Sequence, residues 1–344
     1  MNISKIKLDD IKRCYAVSNI FYDDENHLIF ASEDPNVVCK SFSGRNFEVQ
    51  EELWKEPGGC MSIIQIPSKE KEFLAIQEFY MKVSPSLAKV VWGKKTENGW
   101  EYRDILKIPY IHRFDIYRVG NINYFIGATI ATTKQNKEDW SVPGRIYVGK
   151  LPETPDEELK VEILRDGMYR NHGYYRDYDG SGNVCGYFGC DDGLYKVIPP
   201  ENENLDWKIE KILDGYIGEV SIIDIDNDGV KEIMTIEPFH GNEIHIYKEI
   251  DGKWSRVYTY ENEIDFAHSL VAGTLRGVPT FLAGVRRKDA ELFYVQFKDG
   301  KFVTKIIDKE VGPANLYLIN EEGRDLILSA NHTANEAAVY IVED

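Results

Sequence analysis

Polar and apolar residues alternate in short runs along this chain, and turn-forming residues punctuate the runs. The clearest stretch, Gly218 to Tyr260, holds four in succession: VSIID, KEIMTI, EIHIYKE and WSRVYTY. Each is rich in β-branched and aromatic residues and is bounded by turn chemistry, the signature of short antiparallel strands. The pattern recurs. FAHSLVAGTLRGVPTFLAGVRRKDAELFYVQFKDGKFVTKIID is a second copy, and NHGYYRDYDGSGNVCGYFGCDDGLYKV opens a third. IHRFDIYRVGNINYFIGATI, GCMSIIQIPSKEKEFLAIQ and CYAVSNIFYDDENHLIFAS open three more, and GPANLYLINEEGRDLILSANHTANEAAVYIVED closes the chain. Aligning the starts of the first strands gives Tyr15, Cys60, His112, His172, Glu219, His268 and Asn315. Their spacing is near the roughly 50 residues of a kelch-type repeat, and no Trp-Asp dipeptide ends a unit.

Seven four-stranded units with no helical period between them predict an all-β fold, a seven-bladed β-propeller in one domain. The blades fall at about 10–52, 56–107, 108–165, 168–213, 215–260, 264–308 and 311–344. The last unit stops after its third strand, while NISKIKLDD at the N-terminus matches the fourth strands FVTKIID and WKIEKIL. Residues 2–9 are therefore expected to complete blade 7 and close the ring, which removes an open sheet edge.

Charge narrows the range of partners. Lys and Arg total 41 against 58 Asp and Glu, a net charge of −17, which argues against nucleic acid and against an anionic membrane surface. No apolar run approaches the roughly 20 residues that cross a bilayer. The five cysteines form neither a Cys-x-x-Cys pair nor a dense even framework, so a reducing cytoplasm is expected.

Between the first two strands of blade 5 lie Asp224, Asp226, Asp228, Gly229 and Glu232. Alternate carboxylates, a Gly for the sharp turn and a later acid form a cage of hard oxygens that suits a structural calcium ion; a tight acidic hairpin without an ion is the other reading. Blade 4 has a weaker copy at Asp177, Asp179 and Gly182. This Asp-rich turn resembles the FG-GAP or VCBS repeats of integrin-type and bacterial propellers. Asn171-His172-Gly173, Ala267-His268-Ser269, Gly312-Pro313-Ala314-Asn315 and Thr333-Ala334-Asn335-Glu336 also resemble the propeller portion of aldos-2-ulose dehydratase and related proteins. That resemblance covers about half the chain, mostly blades 4 to 7, and implies a metal-containing lyase or isomerase acting on a sugar.

In a propeller, the start of each first strand and the end of each second strand open on one face near the axis. His112, His172, Glu219 and His268 then occupy four consecutive blades, with Asn315 next. Ends of second strands add Glu78, His240, Arg286 or Arg287, and His332. Imidazoles with a carboxylate are a ligand set for a divalent transition metal such as zinc or manganese, so His172, Glu219 and His268 are the expected metal ligands. A polar channel of hydrogen-bonded histidines around ordered water is the alternative.

The chemistry expected of such a site is proton abstraction alpha to a carbonyl or carboxylate of a sugar or small uronide, with a metal or Arg stabilising the enolate. His112, His240, His332, Tyr110, Tyr174, Arg170 and Arg286 are the candidate catalytic residues; Asn315 and Glu78 are candidate substrate contacts. Gly-x-Ser-x-Gly and phosphate-cradling Gly loops are absent. The polar segment 133–141 leaves a second strand and is placed to cover part of the channel mouth. A non-catalytic propeller that binds a protein or small ligand on the same face is the competing expectation.

Overall fold

The computed structural model describes residues 1–81, 84–202 and 206–344. Its strands form seven four-stranded antiparallel sheets, six of them built from strands consecutive in sequence. The seventh combines the last three strands, Pro313–Glu321, Arg324–Asn331 and Glu336–Glu343, with the first strand of the chain, Asn2–Asp10. Asn2 pairs with Glu343 and Asp10 with Glu336, so the N-terminal strand completes blade 7 as expected. The fold is a seven-bladed β-propeller. The helical content of the described residues is one 3-10 turn, Pro85–Leu87.

Burial follows strand position. Second strands such as Glu72–Gln77 and Val184–Cys190 are almost wholly buried, since neighbouring blades cover both faces. Outer strands such as Asn2–Asp10 alternate between half-buried and exposed residues, as an edge strand with one wet face does. Apolar clusters fill the wedges between blades; one packs Trp92, Phe114, Ile116 and Phe125 between blades 2 and 3. All five cysteines are free and buried in these wedges, and burial pushes the thiols of Cys14, Cys39 and Cys60 up, away from reactive thiolate. No helix among the described residues is long and apolar enough to cross a membrane.

One irregularity decides where the channel residues point. In blades 1, 3, 6 and 7 the pairing of first and second strands skips one residue: Tyr15, His112, His268 and Ala314 respectively. Each is the unpaired residue of a β-bulge, which bends the strand and re-aims its side chain. In blades 1, 3 and 6 the residue two positions earlier (Arg13, Tyr110 and Phe266) has a positive φ of 49°, 63° and 62°, so the chain enters each bulge through a left-handed turn. Arg170, two before His172, has φ 48°.

Candidate functional site

The bulges stack two layers of polar side chains at one end of the channel. The outer layer is imidazole. His112, His172, His240 and His268 form a contiguous cluster with ring centroids 4.6 Å (112–172), 4.9 Å (172–240), 5.1 Å (172–268) and 4.8 Å (240–268) apart. One ligand nitrogen from each of His172, His240 and His268 lies within 4.8 Å of the others. His240 comes from the end of the second strand of blade 5 and reaches the cluster through a left-handed residue of its own, φ 48°.

Backbone carbonyls set the tautomers. His172 donates Nδ1–H to the Gly218 carbonyl at 3.2 Å, and His268 donates Nδ1–H to the Ala314 carbonyl at 2.6 Å. Each acceptor belongs to the next blade round the ring. Both histidines therefore carry the lone pair on Nε2, facing the cluster. The Tyr15 hydroxyl bridges His112 Nε2 at 3.1 Å and His268 Nε2 at 3.4 Å. Among the described residues His172 Nε2, His240 Nε2 and His112 Nδ1 are buried without a hydrogen-bond partner. Leaving such a group unsatisfied costs about 1–3 kcal/mol.

Burial, above all, drives the basicity of all four imidazoles down, and the cationic neighbours Arg113 and Arg286 and the other histidines add to the effect. Glu219 partly opposes this at His172. Four neutral imidazoles, two with orphaned Nε2 atoms, fit a divalent transition metal held by His172, His240 and His268. A tetrahedral shell at Zn–N distances of about 2.0–2.1 Å places nitrogens roughly 3.4 Å apart, so small rotamer adjustments close the triad.

The inner layer is an ion pair. Arg113 Nη2 meets Glu219 Oε2 at 3.2 Å, Nη1 donates to Asn315 Oδ1 at 3.0 Å, and Nε donates to the His172 carbonyl at 3.3 Å. Glu219 also accepts from the Tyr174 amide at 2.9 Å and lies 3.4 Å from His172 Nδ1. Glu219 and Asn315 thus sit one layer deeper than the imidazole nitrogens. Glu219 orients His172 from behind, and His240 is the third member of the nitrogen triad.

The remaining candidates are distributed more widely. His332 Nε2 lies 2.8 Å from Glu33 Oε1, and Arg286 Nη2 lies 2.8 Å from His332 Nδ1. Glu33 is gripped in turn by Arg13. No carboxylate of the described residues lies within ion-pair distance of Arg286, and burial lowers it to about 10. Arg170 pairs with Asp191 at 3.2 Å, and Glu78 pairs with Lys89 at 2.8 Å. Tyr110 is packed into the wedge between blades 2 and 3. The Tyr174 hydroxyl donates to Asp115, which Arg176 also grips, further down the channel. Arg113, Tyr15, Phe239 and Phe266 belong to the site without being marked as such by the repeat pattern. Tyr15 stood in the aligned column; the others carry no motif.

Aromatic rings cap the cluster. Phe239 stacks on His240 at 3.8 Å, Phe266 lies 4.3 Å from it, and Trp140 of segment 133–141 packs on Phe239 at 5.1 Å. Cations surround the cap: Lys134 lies over Trp140, and Arg286 and Arg287 over Phe266.

At the acidic turn of blade 5, Lys248 Nζ lies 2.6 Å from Asp226, 2.7 Å from Asp228 and 2.7 Å from Glu232, while Asp224 accepts the Asp228 and Gly229 amides. Ligand oxygens of Asp224, Asp226 and Glu232 lie close enough to hold a cation, but the chain supplies an ammonium there. Removing one partner of such a cluster leaves uncompensated carboxylates. Lys248→Ala is therefore expected to cost about 2 kcal/mol in urea unfolding, with calcium restoring stability to the variant and adding little to the parent.

No family model matches the chain, and no curated protein matches it, so neither the FG-GAP/VCBS nor the aldos-2-ulose dehydratase resemblance has a matching family behind it. Among solved structures, Sqt1 of Saccharomyces cerevisiae is similar over 100% of this chain and 98% of its own, at a TM-score of 0.58 and 10% identity. A candidate 6-phosphogluconolactonase from Bacteroides uniformis is similar over 93% and 92%, at 0.53 and 9%. At such identities the likeness is one of fold.

Proposed function

We propose that the protein is a metal-dependent lyase, dehydratase or isomerase of an anionic sugar such as a small uronide, acting at the histidine face of the propeller. The observation that carries this reading is the neutral His172, His240 and His268 triad at a cation-rimmed channel end, with the Nε2 atoms of His172 and His240 orphaned and that of His268 met only by the Tyr15 hydroxyl at 3.4 Å. A divalent ion bound there supplies a Lewis acid that polarises a carbonyl or carboxylate oxygen. The chain's own residues fill the other roles. Arg286, a desolvated guanidinium without a carboxylate partner among the described residues, binds the substrate carboxylate. His332, whose Nε2–H is held by Glu33 at 2.8 Å, accepts the proton from the carbon alpha to that carboxylate on Nδ1, which Arg286 Nη2 meets at 2.8 Å until the substrate carboxylate draws the guanidinium off. The phenol of Tyr15 is kept protonated by burial and pairs with His112 Nε2 at 3.1 Å, its 3.4 Å contact with His268 Nε2 giving way when that nitrogen takes the metal. Phe239, Phe266 and Trp140 exclude water and offer faces to a sugar ring.

Incubating the zinc- or manganese-loaded protein with unsaturated uronides and keto-sugars, and following products by NMR, tests the reading. Turnover that falls at least 100-fold in His332→Ala and Arg286→Ala, with metal content retained, is expected. Absence of turnover in folded, metal-loaded protein would favour a non-catalytic propeller that binds a protein or small ligand on this face. Burial supports that second reading: His112, His172 and His268 are only 1–2% exposed beneath the aromatic cap.

A further inference from the structure

A second open space lies at the other end of the channel. Beyond the Arg113–Glu219 layer, a cavity of about 900 Å³ follows the first strands away from the histidines and opens beside the turn at Pro67–Glu70. Its charges are balanced within its own walls. Lys69, Arg113 and Arg176 are the cationic lining residues, and Glu70, Asp115 and Glu219 the anionic ones. The two deep guanidinium groups are already satisfied: Arg113 by Glu219 at 3.2 Å, and Arg176 by Asp115, its Nε donating to Oδ2 at 2.7 Å. In the deep part of the cavity an ionic ligand would have to break one of these pairs, whereas a neutral one leaves both intact.

The rest of the wall has the chemistry of neutral hydrogen bonding beside flat apolar surface. Ser18, Asn19, Ser62, Gln65, Ser269 and Asn320 supply its uncharged polar lining. Phe21, Tyr174, Tyr175 and Tyr317 place rings along it, and Phe21 at the mouth is 49% exposed. Scattered hydroxyl and amide groups next to aromatic rings, without net charge, match a molecule with many hydroxyls and apolar C–H faces.

We propose that this cavity is a binding site for a neutral saccharide of mono- to disaccharide size, separate from the histidine centre. The Arg113–Glu219 pair forms the partition between the two sites and also touches His172. The saccharide site does not depend on metal chemistry at the other face.

Titration calorimetry with glucose, galactose, maltose and cellobiose, beside glucuronate and glucosamine as charged counterparts, tests the proposal on the full chain. Saturable binding of at least one neutral sugar is expected, at least tenfold tighter than either charged analogue. Ala272→Trp, which fills the cavity, should weaken that binding at least tenfold without changing metal content. Phe21→Ala, at an exposed position where folding is not at stake, should weaken it severalfold and covers the case in which the Trp variant does not fold. No saturable binding by any neutral sugar, a preference for a charged analogue, or binding indifferent to both variants would overturn the proposal.

Discussion

Arg113→Met is expected to destabilise the protein by about 3–5 kcal/mol, among the largest losses any single substitution should produce here. The substitution keeps most of the side-chain volume but strands the Glu219 carboxylate, 5% exposed, without its counter-ion. It also removes the donors to Asn315 and to the His172 carbonyl, which link blade 3 to blades 7 and 4 across the axis. Glu219→Gln alone leaves the guanidinium uncompensated and should cost nearly as much. The double variant Arg113→Met, Glu219→Gln removes both charges, so it should be more stable than the sum of the single losses predicts by about 1–3 kcal/mol. Urea unfolding of the four proteins measures this. Additive losses, or single losses below about 1 kcal/mol, would show that the pair does not anchor the channel.

Acid is expected to destabilise the metal-free protein from about pH 6.5 downward, before its carboxylates begin to titrate. His112, His172, His240 and His268 all have basicity pushed below the ordinary value near 6.5, chiefly by burial. Below that pH the unfolded chain takes up protons that the folded cluster refuses. The unfolded state then binds more protons, so stability falls as pH falls, and it is fully present only above about 6.5. Each histidine contributes a slope of about 1.4 kcal/mol per pH unit, and the four together up to about 5. The groups facing them set the balance: Arg113 and Arg286 strengthen the shift, and Glu219 weakens it at His172. Against a typical total of about 5–15 kcal/mol, such a slope brings unfolding between roughly pH 5.6 and 3.7. Urea midpoints measured from pH 8 to 5 check this. A flat profile through pH 6 would mean that the imidazoles protonate freely in the folded state.

The architecture was legible because repetition amplifies a weak signal. One blade is four ambiguous short strands, but the recurrence of GEVSIIDID-type openings, with a spare strand at one end and a missing one at the other, admits few closures. The histidines were legible for the same reason: a polar residue at one repeated place is informative where a single one is not. Register was harder to read. The aligned column mixes Tyr15, His112 and His268, which are bulge residues, with Asn315, which follows the bulge residue Ala314. Glu219 shares the deeper layer with Asn315 and Arg113. A bulge shifts side-chain direction by one residue, and nothing in the local sequence announces it; the left-handed entry positions Arg13, Tyr110, Arg170 and Phe266 are not glycines. Lys248 filling the acidic turn was also hidden, since it reaches there from the third strand of the blade. The end at which the channel is open depends on how Phe239, Phe266 and Trp140 pack, which is a tertiary outcome.

The central claim is that His172, His240 and His268 hold a divalent transition metal. Elemental analysis of protein purified without added metal or a histidine tag, beside His172→Ala, His240→Ala and Lys248→Ala, tests it most directly. The account predicts about one equivalent of zinc, manganese or a similar ion in the parent, lost in both histidine variants and retained in Lys248→Ala. A parent that stays free of transition metal even after dialysis against zinc and manganese, or one whose metal survives both histidine substitutions, would contradict it.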